Sequence, residues 1–155
     1  MGTRGDGSAS ELERTPALSV TLLCLPGASI ATRQLSTDEL PDLDGAAQQW
    51  QDWVGITPEN ARSQILLIDP TSSVINDLIS GLDYAYPGAE KIGGIAAPHN
   101  SPHGSLLLDD RVVTGAVVCS IGGSWRLETV VAQGCRHRPG LLDRTGPAQR
   151  AAGTE

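Results

Sequence analysis

Gln64-Ile65-Leu66-Leu67-Ile68-Asp69-Pro70, followed by Thr71-Ser72-Ser73 and later by Lys91-Ile92-Gly93-Gly94-Ile95-Ala96, is the most regular part of this chain. The first run is apolar from Ile65 to Ile68 and too short for a helix, which reads as a buried strand closed by Pro70. The hydroxyls at 71–73 suit a helix N-cap, and Val74, Ile75, Leu78, Ile79, Leu82, Ala85 and Tyr86 fall on one face at helical spacing. Pro87-Gly88 stops that helix. With Lys91 to Ala96 as a second strand, the series predicts a right-handed βαβ crossover with parallel strands.

Outward from this unit the pattern is less regular. Downstream, Ser105 to Leu108, Val112 to Ser120 and Trp125 to Ala132 read as short strands, with Asp109-Asp110 and Gly122-Gly123 as turns, which makes a β-meander. Upstream, Leu18 to Leu25 is β-prone and ends at Pro26-Gly27, predicting another strand. Gly45 to Val54 places Ala46, Ala47, Trp50, Trp53 and Val54 near helical spacing, with Asp44 as the expected N-cap. The fold class is therefore α/β (mixed α+β), a βαβ unit followed by an antiparallel β-meander. Residues 1–16 and 137–155 lack any apolar period and are expected to be disordered, leaving one domain over 17–136.

With no Phe, three Trp and two Tyr, the core must be largely aliphatic. Residues 17–135 carry thirteen acids against five bases, and the whole chain stands at −7. An acidic body lacks the basic face that phosphate neutralisation needs, so nucleic acid and anionic membranes are not expected partners. Three cysteines at irregular spacing form neither a disulfide framework nor a zinc-binding pair of motifs, and fit a reducing compartment. The N-terminus has no apolar targeting core, and the expected location is the cytoplasm.

Ligands of open α/β sheets bind beyond the carboxyl ends of parallel strands, where helix N-termini present free N–H groups. Here that place is built by 69–73 and 93–104. Ser72, at the helix start, could receive a carboxylate, and Asp69 an ammonium group of the same ligand; an amino acid meets both demands. The alternative for Asp69, a cap on the turn, stands level with it. Gly93 and Gly94 belong to no phosphate fingerprint, and close backbone packing explains them better than ligand contact.

His99 and His103 offer two imidazoles, but Pro98 and Pro102 exclude the helix that would align them, so no metal site is expected. Cys135 precedes Arg136, His137 and Arg138, cations that lower a thiol pKa. A cysteine nucleophile also needs a positioned base and an oxyanion site, and only His137 is on offer. A structural or ligand-lining Cys135 is the better reading, with Cys24 and Cys119 buried in strands. No enzyme activity and no cofactor are expected.

In order and spacing, Leu40 to Asp44, Ile65 to Pro70, Leu82-Asp83, Tyr86 to Gly88, Lys91 to Ala96, Leu106 to Asp109, Gly115 to Val117 and Gln133-Gly134-Cys135-Arg136 resemble the N-terminal FIST domain (F-box and intracellular signal transduction). The resemblance implies a mixed α/β sensory domain that binds small ligands, amino acids foremost, and signals to an attached effector. Ligand contacts are expected at Asp69, Ser72, Gly93 and Gly94, joined by Gln133 and Cys135. The chain departs from the family in Ala97-Pro98-His99-Asn100 after the Gly-Gly strand and in His137-Arg138 before Pro139-Gly140. Past that point Gly-, Arg- and Ala-rich sequence replaces the family's remaining elements, so an incomplete, truncated domain is expected. Two rival readings stand beside the sensor: an interaction module that docks a signalling or ubiquitin-ligase partner through the acidic segment 38–59 or a sheet edge, and a fragment without function.

Overall fold

The computed structural model describes residues 2–3, 9–10, 18–97 and 104–131. Two pairs of residues near the N-terminus, β1 (Gly2–Thr3) and β2 (Ala9–Ser10), pair antiparallel within the stretch expected to lack order. The body is one sheet of four strands, β3 (Ala28–Leu35), β4 (Ser63–Ile68), β5 (Glu90–Ile95) and β8 (Ala116–Gly123), in the order β3-β8-β4-β5. A hairpin of β6 (Leu106–Leu108) and β7 (Arg111–Val113) forms a separate two-stranded sheet. Helices α1 (Ala47–Val54) and α2 (Ile75–Ala85) complete a mixed α/β architecture.

The expected βαβ unit is present. β4 and β5 pair in parallel, Ile65 opposite Ile92 and Leu66 opposite Gly93, with α2 between them in sequence. Gly93 is required by this pairing, because a Cβ there would overlap the Leu66 carbonyl oxygen, whereas one on Gly94 meets nothing within 4 Å. Gly93→Ala should therefore cost about 1–3 kcal/mol, as overpacking does. Gly94→Ala should stay within about 0.5 kcal/mol of wild type. Urea midpoints of the two variants check this, and equal midpoints would refute it.

Three expectations are corrected. Residues 18–25 form no strand, with Leu18 at 87% and Leu22 at 90% exposure; the edge position belongs to β3, which pairs with β8 along its whole length. Pro26-Gly27 is a turn, Gly27 at φ 78°, that leads into β3. The second meander strand divides at Thr114-Gly115, where Gly115 takes φ 81°, so that β7 closes the hairpin and β8 enters the sheet between β3 and β4, antiparallel to both. Residues 125–131 are not a strand here. Asp109, at φ 54°, makes the expected hairpin turn.

One face of the sheet carries Leu35, Leu66, Ile68, Ala116 and Val118, which α1 and α2 cover with Trp50, Val54, Leu78, Leu82 and Ala85, joined by Tyr86 just after α2. The opposite face is covered at one end by the hairpin, through Leu106 and Val113 on Val117. Elsewhere on that face Ile30, Leu67 and Ile92 are exposed.

Neither helix is capped by the expected side chain. α1 begins after Ala46, and Asp44 instead donates its N–H to Asp42 Oδ1 at 3.0 Å. α2 begins after Val74 with no side-chain cap, and it ends, as expected, just ahead of Pro87-Gly88. Lys91 Nζ then holds the α2 C-terminus, donating to the Tyr86 carbonyl at 3.0 Å and Ala89 carbonyl at 3.2 Å and pairing with Asp83 at 3.0 Å. A cation there complements the helix dipole. The Tyr86 hydroxyl donates to the Ile56 carbonyl at 2.7 Å; burial first, and the nearby Asp52 charge second, push its pKa up to about 12.

Candidate functional site

Because β8 runs antiparallel to both neighbours, β3 and β4 point the same way, and their carboxyl ends meet at one end of the sheet. A polar cavity of about 110 Å³ opens there. Gln34, Ser36, Thr37 and Asp38 line it from the end of β3, Thr71, Ser72 and Ser73 from the loop into α2, and Thr114-Gly115 from the entry to β8. Gln34 Nε2 donates to the Thr114 carbonyl at 3.1 Å, and the Asp69 N–H to the Gly115 carbonyl at 2.8 Å, tying the three segments together. The Ser72 hydroxyl oxygen is buried and has no hydrogen-bond partner among the described residues. It stands beside a helix start whose first amides lack a side-chain cap and are left to water or a ligand.

Asp69 is wholly buried behind this cavity rather than lining it. Its Oδ1 accepts the Thr71 N–H at 2.9 Å and the Thr71 hydroxyl; its Oδ2 accepts the Ser105 N–H at 2.9 Å and hydroxyl at 3.0 Å. Among the described residues each oxygen thus accepts at least two donors, which engages the lone-pair directions of the carboxylate. The Thr71 hydroxyl, then the Thr71 N–H, hold its pKa well below the usual carboxylate range against the opposing effect of burial, and the Ser105 groups add to them. Asp69 is thus a clasp between the β4–α2 turn and the start of the hairpin. The ammonium group expected on it would find its oxygens already engaged.

Gly93 and Gly94 do not join Ser72. They line a second cavity of about 240 Å³, apolar, between α2 and the edge strand, with Leu66, Ile68, Ile75, Ile79 and Ile95 around it. The expected site residues therefore separate: Ser72 in the polar cavity, Asp69 behind it, the glycines in the apolar groove. Gln133 and Cys135 lie outside the described residues, as do His99, His103 and His137. Cys24, expected inside a strand, is exposed, and Cys119 is half-buried. Among the described residues no group of three metal-ligating side chains comes together and no helix is long and apolar enough to cross a membrane.

Sequence reasoning missed Gln34, Thr37, Asp38 and Thr114. Each is a single polar residue at a strand end, 33 or more positions from Thr71 in the chain, and only the pairing of β3 with β8 brings them together. The acidic segment 38–59 spends its aromatic surface inward: Trp50 is fully buried, with Trp53 edge-on to it at 5.6 Å between ring centroids.

Compared with known families, residues 1–139 of the chain match the model of the FIST N domain. No curated protein and no solved structure matches the chain.

Proposed function

This chain belongs to the FIST N domain family, a family of signal-transduction domains, and from that membership we propose that it is a non-catalytic sensor domain whose ligand is an amino acid. The observation that carries the reading is the polar cavity at the carboxyl ends of β3 and β4, with the unpartnered Ser72 hydroxyl beside the uncapped start of α2. A ligand carboxylate there would be met by the Ser72 hydroxyl and the helix amides. Its ammonium group would face Asp38, the one acid among the described residues that line the cavity. At about 110 Å³ the cavity is smaller than the roughly 300–1,000 Å³ of pockets that enclose whole ligands, so it suits the zwitterionic head group. Binding would order the loops that meet there and pass the change to an attached effector.

Calorimetric titration and thermal unfolding of the whole chain with each common amino acid test this. One amino acid should bind and raise the unfolding midpoint, as any ligand of the native state does. Ser72→Ala should weaken it by about tenfold, the worth of one hydrogen bond to a charged group, and Asp38→Asn by at least as much. No binding by any amino acid, or affinity unchanged in both variants, would defeat the reading.

The interaction-module reading keeps two supports: among the described residues β5 pairs with β4 alone, and Ile30, Leu67 and Ile92 are exposed on the sheet face away from the helices. It loses Trp50, whose indole is core rather than surface.

A further inference from the structure

Among the described residues nothing requires Gly94 to be glycine. It lies inside β5, it is not among the residues of positive φ, and a Cβ there would meet nothing within 4 Å. Glycine inside a strand weakens it, and marks a bulge or a place where a ligand or another backbone approaches closely. A bulge is not the reason, because β5 pairs residue for residue with β4 from Glu90 to Ile95. What Gly94 does create is a notch. Leu67, its partner on β4, is 46% exposed on the face away from the helices, and Ile92, two residues back along β5 on that same face, is 51% exposed. A knob and a notch two residues apart on one strand fit each other in two copies related by a two-fold axis.

The backbone of β5 fixes how they would meet. Glu90 donates its N–H to the Arg62 carbonyl at 3.2 Å and Ala96 to the Ile68 carbonyl at 2.9 Å. In this parallel ladder residues 90, 92, 94 and 96 therefore turn their backbone groups to β4, and 91, 93 and 95 turn theirs outward. Among the described residues β5 pairs with β4 alone. The usual guards of an edge are missing as well: Ile92 to Ala96 contains no charge and no proline, and the Lys91 ammonium is drawn off to the end of α2.

We propose that β5 is the contact surface of a homodimer, in which the β5 strands of two copies pair antiparallel about a two-fold axis at Gly93. The outward residues then meet as hydrogen-bonded pairs, Gly93 with Gly93 and Lys91 with Ile95 of the second copy. Ile92 falls opposite Gly94 of the second copy in a non-hydrogen-bonded pair, the closer kind, and its side chain fills the notch beside Leu67 there. Glu90 falls opposite Ala96, so no like charges are opposed. The apolar grooves between α2 and β5, with Ile79 and Ile95 exposed in each, adjoin across the axis. A seven-residue edge is about 23 Å long, and a sheet with one helix layer is about 20 Å deep. Two such faces cover about 900 Å², close to the roughly 1,000 Å² at which specific interfaces begin, so the dimer is a reversible one. The inference rests on β5 and not on the ligand.

Sedimentation equilibrium of the whole chain without ligand, from micromolar to millimolar concentration, tests this. A reversible monomer–dimer equilibrium is expected. Gly94→Ile fills the notch and should weaken dimerisation by about tenfold or more, as overpacking does, while the dilute monomer keeps its urea midpoint. Adding Ile92→Gly moves the knob to the other member of the same pair and should restore the dimer. Hydrogen exchange at 91, 93 and 95 should slow as concentration rises, while 92 and 94, already bonded to β4, stay unchanged; this pattern decides alone if the double variant does not fold. A monomer at every concentration would overturn the proposal. So would a dimer indifferent to Gly94→Ile, or a loss that Ile92→Gly in a folded double variant does not restore.

Discussion

Trp50→Ala is expected to lower the unfolding free energy by about 3–5 kcal/mol, the usual range for emptying a large aromatic from a core. Trp50 is wholly buried in a core that contains no Phe, so no other side chain of its size can shift to fill the space. Its six-membered ring rests against Gly81 of α2, where any Cβ would overlap it, and its Nε1–H donates to the Asp42 carbonyl at 3.1 Å. Truncation would therefore remove a large apolar surface and one hydrogen bond together. Gly81→Ala shows the same fit from the other side: alanine favours a helix by about 1 kcal/mol over glycine, yet the variant should be destabilised because the indole blocks the methyl group. Urea unfolding of both variants measures this. A loss below about 1 kcal/mol for Trp50→Ala would place the indole outside the core. The same data bear on docking experiments, because a partner lost on Trp50→Ala would report unfolding rather than a contact.

Asp69→Asn is expected to destabilise the chain by roughly 2–4 kcal/mol at neutral pH, since an amide offers one acceptor oxygen where the carboxylate serves four donors, and buried donors left unpaired cost about 1–3 kcal/mol each. The variant also separates two pH profiles. The folded pKa of Asp69 lies below its unfolded value near 3.9, so its contribution is complete above about pH 4 and is lost as pH falls toward the folded value. Wild type should lose stability progressively below about pH 4, and Asp69→Asn should start lower and fall less. Denaturant midpoints at pH 7 and pH 3 check both statements. Parallel profiles for the two proteins would mean that the clasp does not form.

The clasp shows why one site residue was read only halfway. An aspartate between a strand and a helix start is legible as a turn residue, because Thr71 is two positions away in the chain. Its other partner, Ser105, is 36 positions off and belongs to the hairpin, and nothing local announces it. Ser72 was legible as a helix-start hydroxyl, but its lack of a partner depends on where Gln34 to Asp38 and Thr114-Gly115 come to rest.

By itself the sequence determined the local periods: the apolar run of β4, the amphipathic face of α2, the Pro87-Gly88 stop and the Gly-bearing β5, and with them the parallel βαβ unit and the family resemblance. These signals lie within one or two turns or strand lengths, where covalent spacing dictates which side chains share a face. Tertiary structure alone decided that Ala28–Leu35 rather than 18–25 is the edge strand, that β8 enters between β3 and β4, and that Ser72 and the Gly93-Gly94 pair serve different cavities. The physical reason is that strand pairing between distant segments is chosen by mutual burial and ladder hydrogen bonds, and neither partner alone encodes which edge the other will take.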